Sequence, residues 1–513
     1  MSTSIVLFEL NEVPWRVVMD HVHRRPHGAM ARLLTRADAF VTHAEDRRLS
    51  PWVTWSTLHR GVDECEHGIT NLNADLSEVD RARPPLWRLI RAAGLPTGVF
   101  GSMHTHPLPD DPRAVAFHVP DPFADDSATA PAWVEPFQRF NLSMSRRSAR
   151  NVARSLPWRD ALSLAGALPK LGIRAATLAS VAAQLAAERR TPARAVRRRG
   201  FQAILGFDVF MRLLDRTAPR FATFFTNHVA ATMHRFWAAA YPDDYDRNDY
   251  PAPWRASYGG EITWAMDAVD GMLERLLAYT HARPGRQLWL TSSMGQAATR
   301  ADNRVSTQLY LEHVDRLMAA LGYRREQWQQ QPAMAPRVVV AIDDRGAAEF
   351  PQRAGAITVA GEPLVIEPLG GGRFCLAVPV VQGQHPDHAT IDGRAHSLAQ
   401  LGFADVAIED ESGQTAYHVP EGVLAVHHAA AAHRRVGALA QPQRGLSTRA
   451  VAPMVLDGLG VPVPDYMRPP TRRAPLHSGL ERVPPRSRPP SIAIRPQVEA
   501  PAPALDAVLL RRH

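Results

Sequence analysis

The sequence predicts an α/β protein built on a mostly parallel central sheet sandwiched by helices. Two observations carry this. Short apolar runs at residues 5–10 (IVLFEL), 97–101 (TGVFG), 221–225 (FATFF) and 287–290 (QLWL) each end in a polar segment, as buried strands of doubly wound folds do. Helical-period stretches lie between them. The clearest is 262–279, with Met266, Val269, Met272, Leu273 and Leu276 on one face. At 513 residues the chain can bury the core of two or three domains, or of one large α/β domain with insertions.

Taken in order, residues 5–10 form the first strand, and Asn11-Glu12 with Pro14 open a polar loop. Helical signals run over 15–37, and Phe40-Val41 lead toward residues 50–69 (SPWVTWSTLHRGVDECEHGI). There the hydroxyls of Ser50, Thr54, Ser56 and Thr57 stand beside Trp52 and Trp55, a mixture suited to a loop entering a helix at a polar site. A helix over 84–93 begins with proline and stops at Gly94. The strand at 97–101 runs into SMHTHPLP, which places His104 and His106 at a strand's carboxyl end, where such folds build sites. Residues 117–123 and 133–141 read as ordered aromatic loops punctuated by proline. Residues 145–218 are rich in Ala, Leu and Arg and predict three or four helices, interrupted at Pro157, Pro169 and Pro192, forming a helical cap or insertion. Short strands at 337–342, 356–359, 363–366 and 374–378 predict a small β-rich insertion over 331–382. Residues 416–426 and 448–459 supply the last core strand and helix. The α/β core is thus expected in three parts, 1–144, 219–330 and 383–467. The Pro- and Arg-rich tail, 468–513, has too few apolar anchors to fold and is expected to be disordered.

Composition narrows the function classes. Hydrophobic residues at 45% and charged residues at 21% suit a globular protein. The net charge of +8 comes from arginine runs at 189–199 and after 468 that lack interleaved aromatics, so no nucleic-acid partner is expected. The two cysteines, Cys65 and Cys375, support neither a disulfide framework nor a cysteine metal site. The first residues read as a strand rather than a leader, and no apolar run is long enough to span a bilayer. A cytoplasmic location is expected.

Several motifs occur in a telling order. SPWVTWSTLHRG is followed by VDECEHGI, with Gly61, His67 and Gly68; MHRFW supplies His234, Phe236 and Trp237; Ser292, Ser293, Met294 and Gly295 follow a strand; His418 stands in HVPEGV; and APMVLDGLGVPVPDYM closes the series. Over residues 5–467 this pattern resembles the alkaline-phosphatase superfamily, in its type I phosphodiesterase/nucleotide pyrophosphatase branch. The resemblance implies an alkaline-phosphatase-like fold and a hydroxyl nucleophile activated by two metal ions, commonly zinc.

The departures shape the expected chemistry. The family's first-strand Asp falls on Asn11, the Asp of its Asp-x-x-x-His falls on Ala230 just after Asn227 and His228, and its Asp-His pair falls on Ser293 and Met294. His234 and His418 match. An amide, a hydroxyl and a thioether cannot replace the lost anionic charge, so at most one zinc-like divalent ion is expected. It would be held by His234 and His418 with Glu9, Glu12 or His228. Counting back from Gly61 puts the nucleophile on Pro51; Ser50 serves after a one-residue shift, and Thr54 fits another register. Arg60 is expected to pair bidentately with phosphate or sulfate. Glu9, Asn11, Glu12, His59, His104, His228, Ser293 and Gln296 are expected to line the pocket. Two functions follow from the resemblance. One is hydrolysis or transfer of a phosphate- or sulfate-bearing group, on a small molecule or glycan, without the two-metal site. The other is a non-catalytic descendant that binds a phosphorylated ligand or a protein partner.

Overall fold

The computed structural model describes residues 3–467 except 73, 148–157, 303, 332, 334–336, 379–385, 409 and 429–441. The tail at 468–513 and Pro157 lie outside the described residues. Two compact units are present, one of Met1–Tyr310, Gln330–Val339 and Asp405–Pro470, the other including Leu311–Gln329 and Val340–Ala404.

The first unit is built on β1 (Ser4–Leu10), β2 (Ala37–His43), β3 (Thr97–Phe100), β4 (Phe117–Val119), β5 (Phe221–Thr226) and β6 (Arg286–Thr291), with a short β7 (Gly295–Ala298) and β8 (Ala416–Val419), then β9 (Glu421–His428) and β10 (Gln443–Ser447). Among the described residues the main sheet runs β10-β2-β9-β6-β1-β5-β3-β4. Every neighbouring pair is parallel except those made by β9, which runs antiparallel to both β2 and β6. This is the expected α/β class with a mostly parallel sheet. Central β1 is buried on both faces, which is why it reads as a continuous apolar run instead of an alternation. In register, Glu9 lies opposite Phe225 and Thr291, so β1, β5 and β6 end level and their carboxyl-end loops meet.

Helices α1 (Trp15–Arg24), α2 (Ala29–Leu34), α3 (Pro51–Arg60), α4 (Leu86–Ala92), α5 (Glu135–Arg147), α6 (Trp158–Leu171), α7 (Ala175–Arg190), α8 (Arg198–Thr217), α9 (His228–Ala240), α10 (Glu261–His281) and α11 (Val451–Leu459) belong to this unit, with shorter helices at Glu64–His67, Ser77–Ala82 and Ala252–Tyr258. Apolar side chains of α1, α2, α8, α9 and α10 share one core with Val6, Phe8 and Leu10 of β1, while α11 packs against β1, α3 and α4. Phe207 and Phe210 of α8 join a ring cluster in which Phe210 lies 4.9 Å from Phe224, and Phe224 stacks on Phe8 at 5.7 Å.

Three expectations are corrected. Residues 117–123 and 133–141 are not simply loops: Phe117–Val119 is an edge strand and Glu135–Arg147 a helix. Within 145–218 the described residues are helical, and α8 buries Leu205, Phe207, Phe210 and Leu213 in the main core. Pro169 does not interrupt a helix but sits in the last turn of α6, where few further backbone bonds remain to be lost. Residues 416–426 are two strands, β8 and β9, with different partners.

The second unit carries the small antiparallel sheets. Ile357–Val359 pairs with Glu362–Pro363 and with His388–Ile391, which pairs with Arg394–Ser397; Val365–Gly370 and Arg373–Ala377 form a hairpin. Gly and Pro divide these strands, as the short β-branched runs predicted.

Candidate metal centre

Glu12 lies two residues beyond β1 and holds φ at +58°, a left-handed conformation that costs a non-glycine residue about 1 kcal/mol or more. The turn sends its carboxylate to the level where β5 and β6 also end. The carboxylate is 2% exposed and fully engaged. Asn11 Nδ2 donates to Oε1 at 2.8 Å, and Gln296 Nε2 donates to Oε2 at 2.5 Å. Two imidazole nitrogens face the same Oε2: His234 Nε2 at 2.9 Å and His418 Nε2 at 3.3 Å.

The chain delivers these groups by separate routes. His234 projects from the middle of α9. His418 lies on β8, directly across the ladder from Gln296 on β7, so one antiparallel pair brings both side chains to Glu12. Each histidine is fixed from behind. His234 Nδ1 lies 2.8 Å from the Ala416 carbonyl, and His418 Nδ1 lies 2.5 Å from the Leu49 carbonyl. A carbonyl only accepts, so both Nδ1 atoms carry the proton and, in the neutral ring, both Nε2 lone pairs point at Glu12. Lone pairs directed at a carboxylate oxygen repel unless a proton or a cation lies among them.

The donor set fits a cation. A carboxylate and two Nε2 atoms, each imidazole oriented by a backbone carbonyl on its other nitrogen, is how zinc-type ligands are commonly arranged. The three ligand atoms lie within 4.8 Å of one another, and this is the one such group of three found among the described residues. Two ligands about 2.1 Å from a tetrahedral ion lie about 3.4 Å apart, close to the spacings here. Burial alone would raise the Glu12 carboxyl; the two imidazoles in their protonated form, His418 first, hold it well below the usual carboxylate range. The histidines are less enclosed, with side chains 22% and 10% exposed, so the centre is reachable from solvent on their side.

Ser50 and Thr54 belong to the same neighbourhood. Leu49, whose carbonyl anchors His418, precedes Ser50, the N-cap residue of α3. The Ser50 side chain makes no capping bond and is half-buried. Thr54 is fully buried, and its hydroxyl bonds Ser293 Oγ at 2.8 Å and the Ser50 carbonyl at 3.1 Å. Asn11 Nδ2 also donates to Asn227 Oδ1 at 2.7 Å, and Trp55 Nε1 donates to Asn11 Oδ1 at 2.7 Å. Met294 is buried beside Ser293.

No protein-family model and no curated protein matches the chain. Solved structures do match. Murine ectonucleotide pyrophosphatase/phosphodiesterase 5 aligns over 90% of this chain and 96% of its own, at 12% identity and a TM-score of 0.37. The human protein of the same name aligns over 90% and 95%, at 9% identity and a TM-score of 0.35. Phosphonoacetate hydrolase from Sinorhizobium meliloti, in complex with phosphonoformate, aligns over 90% and 95%, at 13% identity and a TM-score of 0.38.

Other residues expected at the site do different work. Arg60 is corrected outright. It is 2% exposed, and its guanidinium donates to Asp80 at 2.7 Å and to the Arg83 carbonyl at 2.6 Å, which leaves it tied to protein and not presented to an anion. His59 pairs with Glu9 at 2.7 Å and packs on Trp55 and Trp87, while Glu9 also accepts from Ser102. Glu9 and His59 therefore form a buried structural pair beneath the site, and neither joins the Glu12 cluster. His228 bonds Thr226 Oγ1 and the Ala265 carbonyl, and burial pushes it down to about 4, so it is a neutral core residue. His104, at φ +58°, bonds Ser56 Oγ and the Asn71 carbonyl and is likewise pushed down to about 4 by burial. The Leu49 and Ala416 carbonyls were not legible in advance, because a backbone acceptor leaves no mark on residue type.

Proposed function

We propose that this chain holds one zinc-like divalent cation on Glu12, His234 and His418 and acts on a phosphate- or sulfate-bearing group, with Ser50 as the nucleophile. The observation that carries the reading is the pair of histidines whose Nδ1 protons are committed to backbone carbonyls while both Nε2 atoms converge on one buried carboxylate oxygen. The motif resemblance to phosphodiesterases and nucleotide pyrophosphatases supports the substrate class. When bound, such an ion acts as a Lewis acid on a phosphoryl or sulfuryl oxygen.

Ser50 is preferred to Thr54 because the residue is partly exposed and its side chain makes no cap bond, whereas the Thr54 hydroxyl is buried and doubly engaged. Its place at the amino end of a ten-residue helix favours negative charge developing on the oxygen. Ser50 Oγ gives up its proton to solvent as it attacks phosphorus or sulfur; the ester oxygen leaves with the bonding electron pair and takes up a proton from water, and a second water then breaks the Oγ–P or Oγ–S bond, releasing the group and returning a proton to Ser50 Oγ. Asn11, Asn227, Thr54 and Ser293 occupy the ground where a second ion would need anionic ligands. They are neutral and bonded to one another, and they do not fit a second divalent cation. Cys65 and Cys375 form no disulfide, which suits a reducing compartment such as the cytoplasm.

Elemental analysis of protein purified without chelator should find close to one equivalent of metal. A panel of phosphate and sulfate esters should show turnover that Ser50→Ala lowers by about a hundredfold or more with metal content unchanged. Two equivalents of metal would sink the single-ion reading. The neutral network in place of a second ion also favours a second reading, a binding protein for a phosphorylated ligand. One equivalent of metal, ligand binding and no turnover on any ester would establish it.

A further inference from the structure

The segment leading into α3 holds a cation whose backbone the fold pins and whose charge it leaves unpaired. Arg48 lies two residues before Ser50 in a tight turn, where the Ser50 N–H donates to the Arg48 carbonyl at 2.9 Å. The Arg48 N–H donates to Glu64 Oε2 at 3.2 Å, and the intervening Leu49 carbonyl accepts from His418 Nδ1 at 2.5 Å. Arg48 is therefore fixed on both sides, one residue from the carbonyl that anchors His418 and two from the proposed nucleophile. Its side chain is exposed, and its guanidinium makes no ion pair or hydrogen bond among the described residues. Other arginines around α3 are engaged: Arg60 and Arg88 with Asp80, and Arg449 with Glu45 and Asp63.

The centre is short of positive charge for the chemistry proposed for it. A divalent ion less the Glu12 carboxylate leaves a single positive charge, and a phosphoryl group in transfer spreads negative charge over several oxygens. The ground of a second ion is held by neutral Asn11, Asn227, Thr54 and Ser293. A guanidinium offers a planar fork of donors that matches two phosphate or sulfate oxygens. Two residues of chain span at most about 7 Å, and the turn holds Arg48 nearer to Ser50 than that, within the sweep of an arginine side chain. Building on the function proposed above, we propose that Arg48 binds the phosphate or sulfate oxygens of the substrate on the Ser50 side of the centre. That is the task the sequence had suggested for Arg60.

Titration of the metal-loaded full chain with inorganic phosphate, and in parallel with sulfate, tests this. Wild type should bind at least one of the two anions, and Arg48→Ala should weaken that binding about tenfold or more. Metal content and melting temperature should stay at the wild-type values, because the side chain is exposed. Arg48→Lys should recover part of the loss, since it keeps the charge without the fork. Arg47→Ala removes the neighbouring exposed cation and should change the affinity by less than about twofold. Anion binding by Arg48→Ala equal to wild type overturns the inference and leaves the single-ion reading standing. Equal losses in Arg47→Ala and Arg48→Ala that vanish at high salt overturn it too, because they reveal diffuse attraction alone. Wild type that carries one equivalent of metal and binds neither anion overturns the proposed substrate class, and this inference with it.

Discussion

Glu12 shows how one residue's backbone decides what its side chain can do. Its positive φ is costly, and the carboxylate it aims is bound by Asn11 and Gln296 and faced by two imidazoles. Glu12→Gln preserves shape but removes the charge, and we expect metal affinity to fall by about a hundredfold or more in a competition titration. A second residue outside this centre carries a pH dependence. Thr57 Oγ1 donates to Asp46 Oδ1 at 2.6 Å, and His67 Nε2 lies 3.0 Å from the same hydroxyl. The Ile69 N–H donates to His67 Nδ1, so Nε2 carries the ring proton and the chain of donors runs His67 to Thr57 to Asp46. Burial pushes Asp46 up to about 6 despite the Thr57 bond, with Glu64 and Asp63 adding to it. A carboxyl raised on folding favours the folded state while it is protonated. Its contribution is complete below the unfolded value near 4 and is lost as pH rises to about 6, a change of at most about 3 kcal/mol. Urea unfolding at pH 4 and pH 7 should show Asp46→Asn gaining on wild type at the higher pH and not at the lower.

At the scale of elements, α3 links the site to the core. Its amino end carries Ser50, its middle supplies Thr54 and Trp55, and its carboxyl end is closed by Gly61 in the left-handed conformation, φ +64°. A Cβ at Gly61 would also lie 3.0 Å from Met467 Cγ. Gly61→Ala is expected to cost about 1–2 kcal/mol in chemical denaturation, from backbone strain and this crowding together. The last helical residue, Arg60, is held by Asp80 and the Arg83 carbonyl, and Asp80 also pairs with Arg88 of α4. Arg60 thereby fastens α3 to the segment before α4. Arg60→Ala leaves a buried carboxylate with one cation fewer, and we expect a loss of about 3 kcal/mol in stability with phosphate affinity of the folded protein unchanged. A selective loss of anion binding at unchanged stability would restore Arg60 to the site.

For the molecule as a whole, the centre joins parts of the chain that are far apart in sequence. Glu12 comes from the first loop, His234 from α9, Gln296 from β7 and His418 from β8. A cation bound there stabilises only the state in which all four are assembled. At a free concentration a hundred times its dissociation constant, the linkage is about 2.7 kcal/mol. Adding a chelator should lower the melting temperature of wild type by a few degrees and leave that of Glu12→Gln where it was.

How much of this was legible in the sequence differs by kind of information. The strands at 5–10, 97–101, 221–225 and 287–290 could be read because buried parallel strands are continuous apolar runs, and 262–279 because an amphipathic helix writes its period in residue type. His234 and His418 could be named as candidate ligands because imidazoles in a motif are chemically marked. Glu12 could be named only as one of several acids near them. Arg60, His59, His104 and His228 look like site residues by type, and packing turned all four into structural groups with partners of their own. The strands at 117–119 and 443–447 and the division of 416–428 into β8 and β9 were hidden, because edge strands and strand partners depend on distant chain. By itself the sequence determined the class of fold and the residues able to bind a cation. Only the tertiary structure decided which of them meet, because convergence on Glu12 depends on strand register, on the turn that aims its carboxylate and on two backbone carbonyls, none of which residue type encodes.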